Sequence, residues 1–494
     1  MIDEATVAGL QAALARGDTS CVAIVRASLD RIAACDRRGP SLHAIITVNP
    51  RALEDAAACD RARATGQPTG PLHGMPLVLK DNFHTHDLPT TSGVVAFAAL
   101  MAPEDAHVVA RLRAAGAVLV GKANMTELAY GGTSVSALGG QVRNPYDLTR
   151  TPGGSSGGTG AAMAASYAVL GTGSDTGQSI RSPASACALV GVRPTHGLVS
   201  RHGIVPFSPT QDEVGPITRT VEDAARMLDV MAGPDPRDPA TALGEGRRPR
   251  SYLEGLDADA LRGARLGLLT QMMGREPIHA PVNDVMARAV EALSRHGVRV
   301  TRLEIPGLDA LTDGLSLMSF EFAEAISAYL AALGNRAPVR TLAELVALGR
   351  CHPSLTAGLA SDAAVVDGTR SPAYAAMRER RARLRSAILD ALDRHRLDAL
   401  LYPHQRRLAV PVGEDQVDRN GVLSNGTGLP AVVVPAGFSP PSPTAPVGVP
   451  VGMELLGRPF AEPALLRLAH AWERRERPRR PPPGLPAVEA GGRP

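Results

Sequence analysis

Short apolar runs alternate with longer stretches of helical periodicity along this chain, and that alternation limits the folds open to it. Residues 20–35 place Val22, Val25, Leu29 and Ile32 on one face at spacings of three and four, with Ser20 as the helix cap. Residues 50–66 and 104–115 also read as helices. Between and after them, Ala44–Val48, Pro76–Leu79 and Ala117–Val120 read as buried strands. Strands alternating with helices predict an α/β fold with a parallel or mixed central sheet. Residues 234–262, rich in Pro, Asp and Arg, read as a surface connection. Leu266–Leu269 resumes the sheet pattern, and helices are expected over 281–297, 308–333 and 371–397. Asp398–Tyr402, Ala431–Val434 and Val449–Leu456 read as late strands, and 461–476 as a closing helix. One domain over residues 1–476 follows, with 477–494 as a disordered tail.

Apolar residues make up 44% of the 494, enough for a sizeable core, but aromatics are only 3%, so Ala, Val and Leu must build it. A net charge of +3, spread along the chain, with so few rings for base stacking, argues against a nucleic-acid partner. The five cysteines are far apart and form no C-x-x-C pair, so neither a zinc site nor a disulfide framework is indicated, and a reduced cytoplasm fits. The start, Met1-Ile2-Asp3-Glu4, lacks the basic and apolar segments of a signal peptide. With no run of about 18 apolar residues, no membrane span is expected.

Of 52 basic residues only Lys80 and Lys122 are lysines. Arg keeps its proton at any ordinary pH, whereas a buried Lys can lose it and act as a base. Lys80 follows the apolar run Leu77-Val78-Leu79, which carries it inward. Lys122 follows Val118–Val120 and reads as a packing anchor. Two Gly/Ser-rich segments come later: Pro152 to Gly158, and Gly173 to Arg181. In the second, Ser182-Pro183 signals a helix start, which puts Ser179 just ahead of a helix N-terminus. The turn Thr176-Gly177-Gln178 before it should leave backbone N–H groups free, as an oxyanion hole requires. A phosphate-binding loop is the alternative, but neither Gly-rich phosphate motif is present. Asp175 and Arg181 flank the turn and are expected to pair across it as scaffolding. Gly153-Gly154-Ser155-Ser156-Gly157 also matches G-x-S-x-G, a cheap pattern among fifty glycines. The histidines that such a triad would need, His196, His202 or His404, lie in unremarkable contexts. His84-Thr85-His86 has no evident third ligand, so no metal is expected.

Together these segments make the chain resemble the amidase signature family from about residue 3 to 476. Pro71 to Asn82, Val120 to Glu127, the loop 152–158 and Gly173–Pro183 carry the resemblance. Gly191 to Gly197, Gly215 to Arg219, Thr427 to Ala431 and Gly452–Pro459 continue it. It implies a mixed sheet covered on both sides by helices, and a Ser–cis-Ser–Lys triad. Mapped here, Lys80 is the base, Ser155 (after a cis Gly154–Ser155 bond) the relay and Ser179 the nucleophile. Thr176, Gly177 and Gln178 supply the oxyanion hole, and neither metal nor cofactor is implied. The family usually reads Gly-Gly-Ser where this chain has Gly177-Gln178-Ser179. A positive φ at 178 would strain Gln. Otherwise its side chain points away or enters the pocket.

The expected function is hydrolysis of a small or medium carboxamide or anilide by a monomer or homodimer. The alternative is the glutaminase subunit of a tRNA-dependent amidotransferase; a catalytically silent binding homologue ranks third. Met125, Thr126, Tyr130, Phe207 and Phe320 are the candidate pocket liners.

Overall fold

A computed structural model describes residues 2–67 and 69–486. Among the described residues there are thirteen strands: β1 (Ile45–Val48), β2 (Pro76–Lys80), β3 (Val118–Ala123), β4 (Val135–Ser136), β5 (Gly140–Gln141), β6 (Leu170–Asp175), β7 (Val190–Arg193), β8 (Glu213–Thr218), β9 (Arg265–Leu269), β10 (Arg299–Leu303), β11 (Ala399–Pro403), β12 (Ala431–Phe438) and β13 (Pro450–Leu456). Eleven form one sheet in the order β1-β3-β2-β6-β8-β7-β12-β13-β11-β9-β10, while β4 and β5 pair separately. β2 runs parallel to β3 and β6, and β9 to β10 and β11; the remaining pairs are antiparallel. The sheet is therefore mixed, as the sequence pattern predicts. β2, β3 and β6 are buried along their whole length, which is why they read as unbroken apolar or small-residue runs.

Helices 21–35 and 52–64 pack on one another near β3. The Ser20 hydroxyl accepts from the Ala23 amide and caps the first of them, as its position predicts. Helices 280–295 and 462–476 pack against β12, where the indole N–H of Trp472, the only tryptophan, donates to the Pro435 carbonyl at 2.9 Å.

Helix 157–164 is buried on every side. Its small residues let backbone meet backbone: a Cβ at Gly158 would sit 2.0 Å from the Asn124 carbonyl oxygen. That approach fixes the loop 152–156, which leads into the helix.

Three expectations change. The 308–333 helix is two, Leu308–Thr312 and Met318–Leu333, separated at Gly314, whose φ is +59°. The amide of Leu317, at the second start, donates to the Gln211 side chain at 2.6 Å. Helix 181–186 is not capped by Ser182, which lies within it; the Ile180 amide at its start donates to Asp175 at 3.1 Å. Finally, residues 477–486 lie on the fold instead of leaving it. Arg479 donates to both Glu4 carboxylate oxygens and to the Ala188 carbonyl, and Arg480 stands over the Phe438 ring. The rest of the expected tail, 487–494, falls outside the described residues.

Candidate active site

Lys80 ends β2 with no exposed surface. Its Nζ lies 2.7 Å from Ser155 Oγ, 2.8 Å from Ser174 Oγ and 3.2 Å from the Ser174 carbonyl. The Asn82 carboxamide donates to the same Ser174 hydroxyl at 2.9 Å. No carboxylate lies within 4 Å of this amine among the described residues. Burial therefore lowers the Lys80 pKa to about 7, and the more distant Asp175 and Asp212 only partly pull it back.

The second hydroxyl is held by its loop. The Gly154–Ser155 peptide bond is cis. The Ser155 carbonyl accepts from the Thr126 amide at 3.1 Å, and Ser134 Oγ donates to the Gly153 carbonyl while accepting from Gly157. Ser179 is brought beside this loop through its backbone, since its carbonyl accepts from the Ser156 amide at 3.3 Å. The Ser179 hydroxyl makes no hydrogen bond to another described residue, so the Lys80–Ser155 leg is closed and the Ser155–Ser179 leg is not.

The turn before Ser179 holds its carbonyls and frees its amides. The Thr176 carbonyl accepts from Gln211, Gly177 from Arg181 and Asn425, and Gln178 from the Ser182 amide. The N–H groups of Thr176, Gly177, Gln178 and Ser179 donate to no acceptor among the described residues. Four free amides on one turn are donors available to an anion. Gln178 has no positive φ, so a side chain costs nothing in backbone strain there.

Behind the turn lies the ion pair expected from sequence, extended into a network. Asp175 binds Arg181 at 3.0 Å and Arg193 at 2.9 Å, and Arg181 also binds Glu454 at 2.8 Å; all four side chains are buried. Burial alone would raise the Asp175 pKa, but the two guanidinium groups overcome it and hold the carboxyl well below its usual range. Glu454 also accepts from Tyr402 and pairs with His404. His196 and His202 pair with Glu213 and Glu104. All three histidines are thus engaged away from Ser155. His84 turns to Tyr329, whereas His86 meets Asp87 and Asp105, whose oxygens are bound by Arg113.

The pocket candidates separate. Met125 and Thr126 are fully buried, Thr126 as a brace for Ser155 and an acceptor for the Ser134 amide. Tyr130 and Phe207 join Phe322 in an aromatic cluster, with Phe207 and Phe322 stacked at 4.2 Å. Phe207 also lines a cavity of about 200 Å³ that reaches Asn82, Ser174 and Thr176. Phe320 packs on Tyr374 instead. Sequence reasoning missed Met318, whose thioether lies within 4.0 Å of where a Gly177 Cβ would be. It also missed Asn425 and Arg419, and the last of these lines a cleft of about 740 Å³ with Gln271, Asp309, Ser316 and Arg406. None of the three stands in a motif that singles it out.

The pattern of the Amidase family matches residues 23–466. The peptide amidase of Stenotrophomonas maltophilia superposes with a TM-score of 0.90 at 38% identity, over 97% of this chain and 99% of that one. A glutamyl-tRNA(Gln) amidotransferase subunit of Symbiobacterium thermophilum is 37% identical over 97% of both chains. The structure of the like-named subunit of Thermotoga maritima superposes with a TM-score of 0.75 at 28% identity, over 99% of each.

Proposed function

This chain belongs to the amidase signature family of enzymes that act on amide C–N bonds, and we propose that it is a free-standing hydrolase of small or medium carboxamides or anilides. The observation that carries this reading is the count of donors and acceptors at Lys80. A neutral amine has two N–H donors and one lone pair. In the neutral form the two Ser174 oxygens can take both donors, which leaves the lone pair for the Ser155 hydroxyl 2.7 Å away.

The chemistry follows from that arrangement. Lys80 draws the Ser155 proton, and Ser155 Oγ draws the proton of Ser179, whose oxygen attacks the substrate carbonyl. The missing Ser155–Ser179 contact forms as substrate seats Ser179, because such bonds are often long in a free enzyme. Negative charge developing on the carbonyl oxygen is received by the free amides of the 176–179 turn. The protons return through Ser155 to the departing amine, which leaves an acyl ester on Ser179. Water, activated by the same relay, releases the acid.

The high structural likeness to a peptide amidase supports the free-standing form. The 37% identity to an amidotransferase subunit favours the second reading, a glutaminase that works within a complex. Two measurements decide. Purified protein should form an acyl adduct on the Ser179 peptide and release ammonia or amine from a panel of amides as a monomer or homodimer. Adduct on Ser155 would overturn the roles. Activity confined to glutamine and dependent on further protein partners would favour the second reading.

A further inference from the structure

We propose that the hollow where helix 462–476 ends is a second ligand site, which takes a carboxylate with a phenyl-sized apolar body. It shares no residue with the site around Ser179, and it stands apart from the hydrolase reading. A cavity of about 250 Å³ lies there, walled by Val434 and Pro435 of β12 and by Trp472. The indole is held by its bond to the Pro435 carbonyl at 2.9 Å. The chain turns at Arg477, whose φ of +46° ends the helix, and Pro478 follows in the lining. A hollow of about 150 Å³ holds benzene, so a phenyl group has room here.

The charge around the cavity is one-sided. Four arginines line it: Arg219, Arg474, Arg477 and Arg479. Among the described residues only Arg479 has a carboxylate partner, Glu4. Arg219 is 4% exposed and donates to the carbonyls of Met163, Ala168 and Ala5, with its Nε unpartnered. Arg474 and Arg477 are exposed, and neither guanidinium has a hydrogen-bond or ion-pair partner among the described residues. A helix C-terminus favours arginines by itself, but that leaves the hollow between them unexplained.

The one acid in the lining, Glu473, accepts from the Val221 amide at 3.0 and 3.2 Å. Burial raises its pKa to about 8; the Val221 amide and Arg474 lower it, while Asp223 and Glu222 raise it. Arg219, Arg477 and Arg479 are the other charged groups of the lining. At neutral pH the Glu473 carboxyl is therefore a donor to a ligand carboxylate, and the unpaired arginines supply the opposite charge. A cation would meet those arginines as like charges, and a neutral body would leave them unmet.

Trp472 is the only tryptophan, so ¹⁵N-indole labelling yields one signal, and that signal reports on this cavity. At pH 7, 3-phenylpropanoate should shift it saturably, with a Kd of about 1 mM or tighter. 3-Phenylpropan-1-ol, 3-phenylpropylamine and acetate should each bind at least about ten-fold more weakly. Arg474→Gln with Arg477→Gln should weaken phenylpropanoate at least about ten-fold, whereas Arg474→Lys with Arg477→Lys, which keeps the charge, should stay within about five-fold of the wild type. From pH 7 to 9 the wild type should lose about ten-fold as Glu473 ionises. Glu473→Gln keeps a donor and should bind equally well at both pH values. No saturable shift, equal affinity for the alcohol, binding unchanged by the glutamine pair, or a wild-type affinity that stays level from pH 7 to 9 would overturn the inference.

Discussion

Lys80 and Lys122 are both fully buried and stand on paired strands, β2 and β3, where Lys122 faces Leu79 and Lys80 faces Ala123. Their surroundings differ in kind. Lys122 Nζ lies 2.9 Å from the Phe83 carbonyl, 3.0 Å from the Pro89 carbonyl and 3.3 Å from an Asp81 carboxylate oxygen. The Thr85 and Thr90 hydroxyls also lie at 3.3 Å, so the carboxylate is what sets this shell apart. Burial pushes Lys122 below its usual range, and Asp81 offsets only part of that. Lys80 has hydroxyls and one carbonyl, with no carboxylate in contact. What separates the two is the carboxylate in contact with Lys122 and absent from the Lys80 shell.

The largest effects should fall on the Lys80 side. Ser179→Ala and Lys80→Arg should each lower kcat/KM by about 10⁴-fold, the scale seen when one member of a linked catalytic set is removed. Lys80→Arg should lie within about ten-fold of Lys80→Ala, because Arg keeps the charge but cannot accept the proton. Substantial activity in the Arg variant would make Lys80 an electrostatic anchor, like its neighbour.

Lys122 should break differently. Lys122→Met leaves Asp81 buried and unpaired, at a cost of about 3–5 kcal/mol. Denaturant melts should show that loss, and Lys122→Met with Asp81→Asn should recover part of it. Variant protein that remains folded should keep its pH profile. A shifted profile would couple the two lysines.

A smaller effect tests the hydroxyl shell. Ser174→Ala removes an acceptor from Lys80 and the partner of Asn82, and kcat/KM should fall about ten-fold. No change would mean that the Ser174 carbonyl alone orients the amine.

The contrast was partly legible in sequence. Lys80 announced itself by surviving in an arginine-rich chain after an apolar run, and Lys122 by following a strand. The free turn could be read from Thr176-Gly177-Gln178-Ser179, because its chemistry is local. The cap was misread, since Asp175 from the preceding strand does what Ser182 was expected to do. Met318, Arg419 and Asn425 were illegible for another reason. They reach the turn from segments more than a hundred residues away, and only the sheet order brings them there. Phe320 failed because the break at Gly314 leaves a helix that turns this ring towards Tyr374 and Met318 towards Gly177.

The pH dependence follows from the same contrast. A base must be unprotonated, so kcat/KM should be low in acid, rise through about pH 7 and level off in mild alkali. A flat profile from pH 5 to 9 would remove Lys80 titration from the mechanism.

Because the chain holds only two lysines, lysine-selective ¹³Cε labelling yields two signals, and Lys80→Met identifies one of them. Following both through a pH titration of the free enzyme measures the central claim directly. The Lys80 signal should titrate near 7 while the Lys122 signal, held by Asp81, does not move through that step. A Lys80 signal that remains ammonium past pH 9, or a Lys122 signal that titrates in its place, would contradict the account.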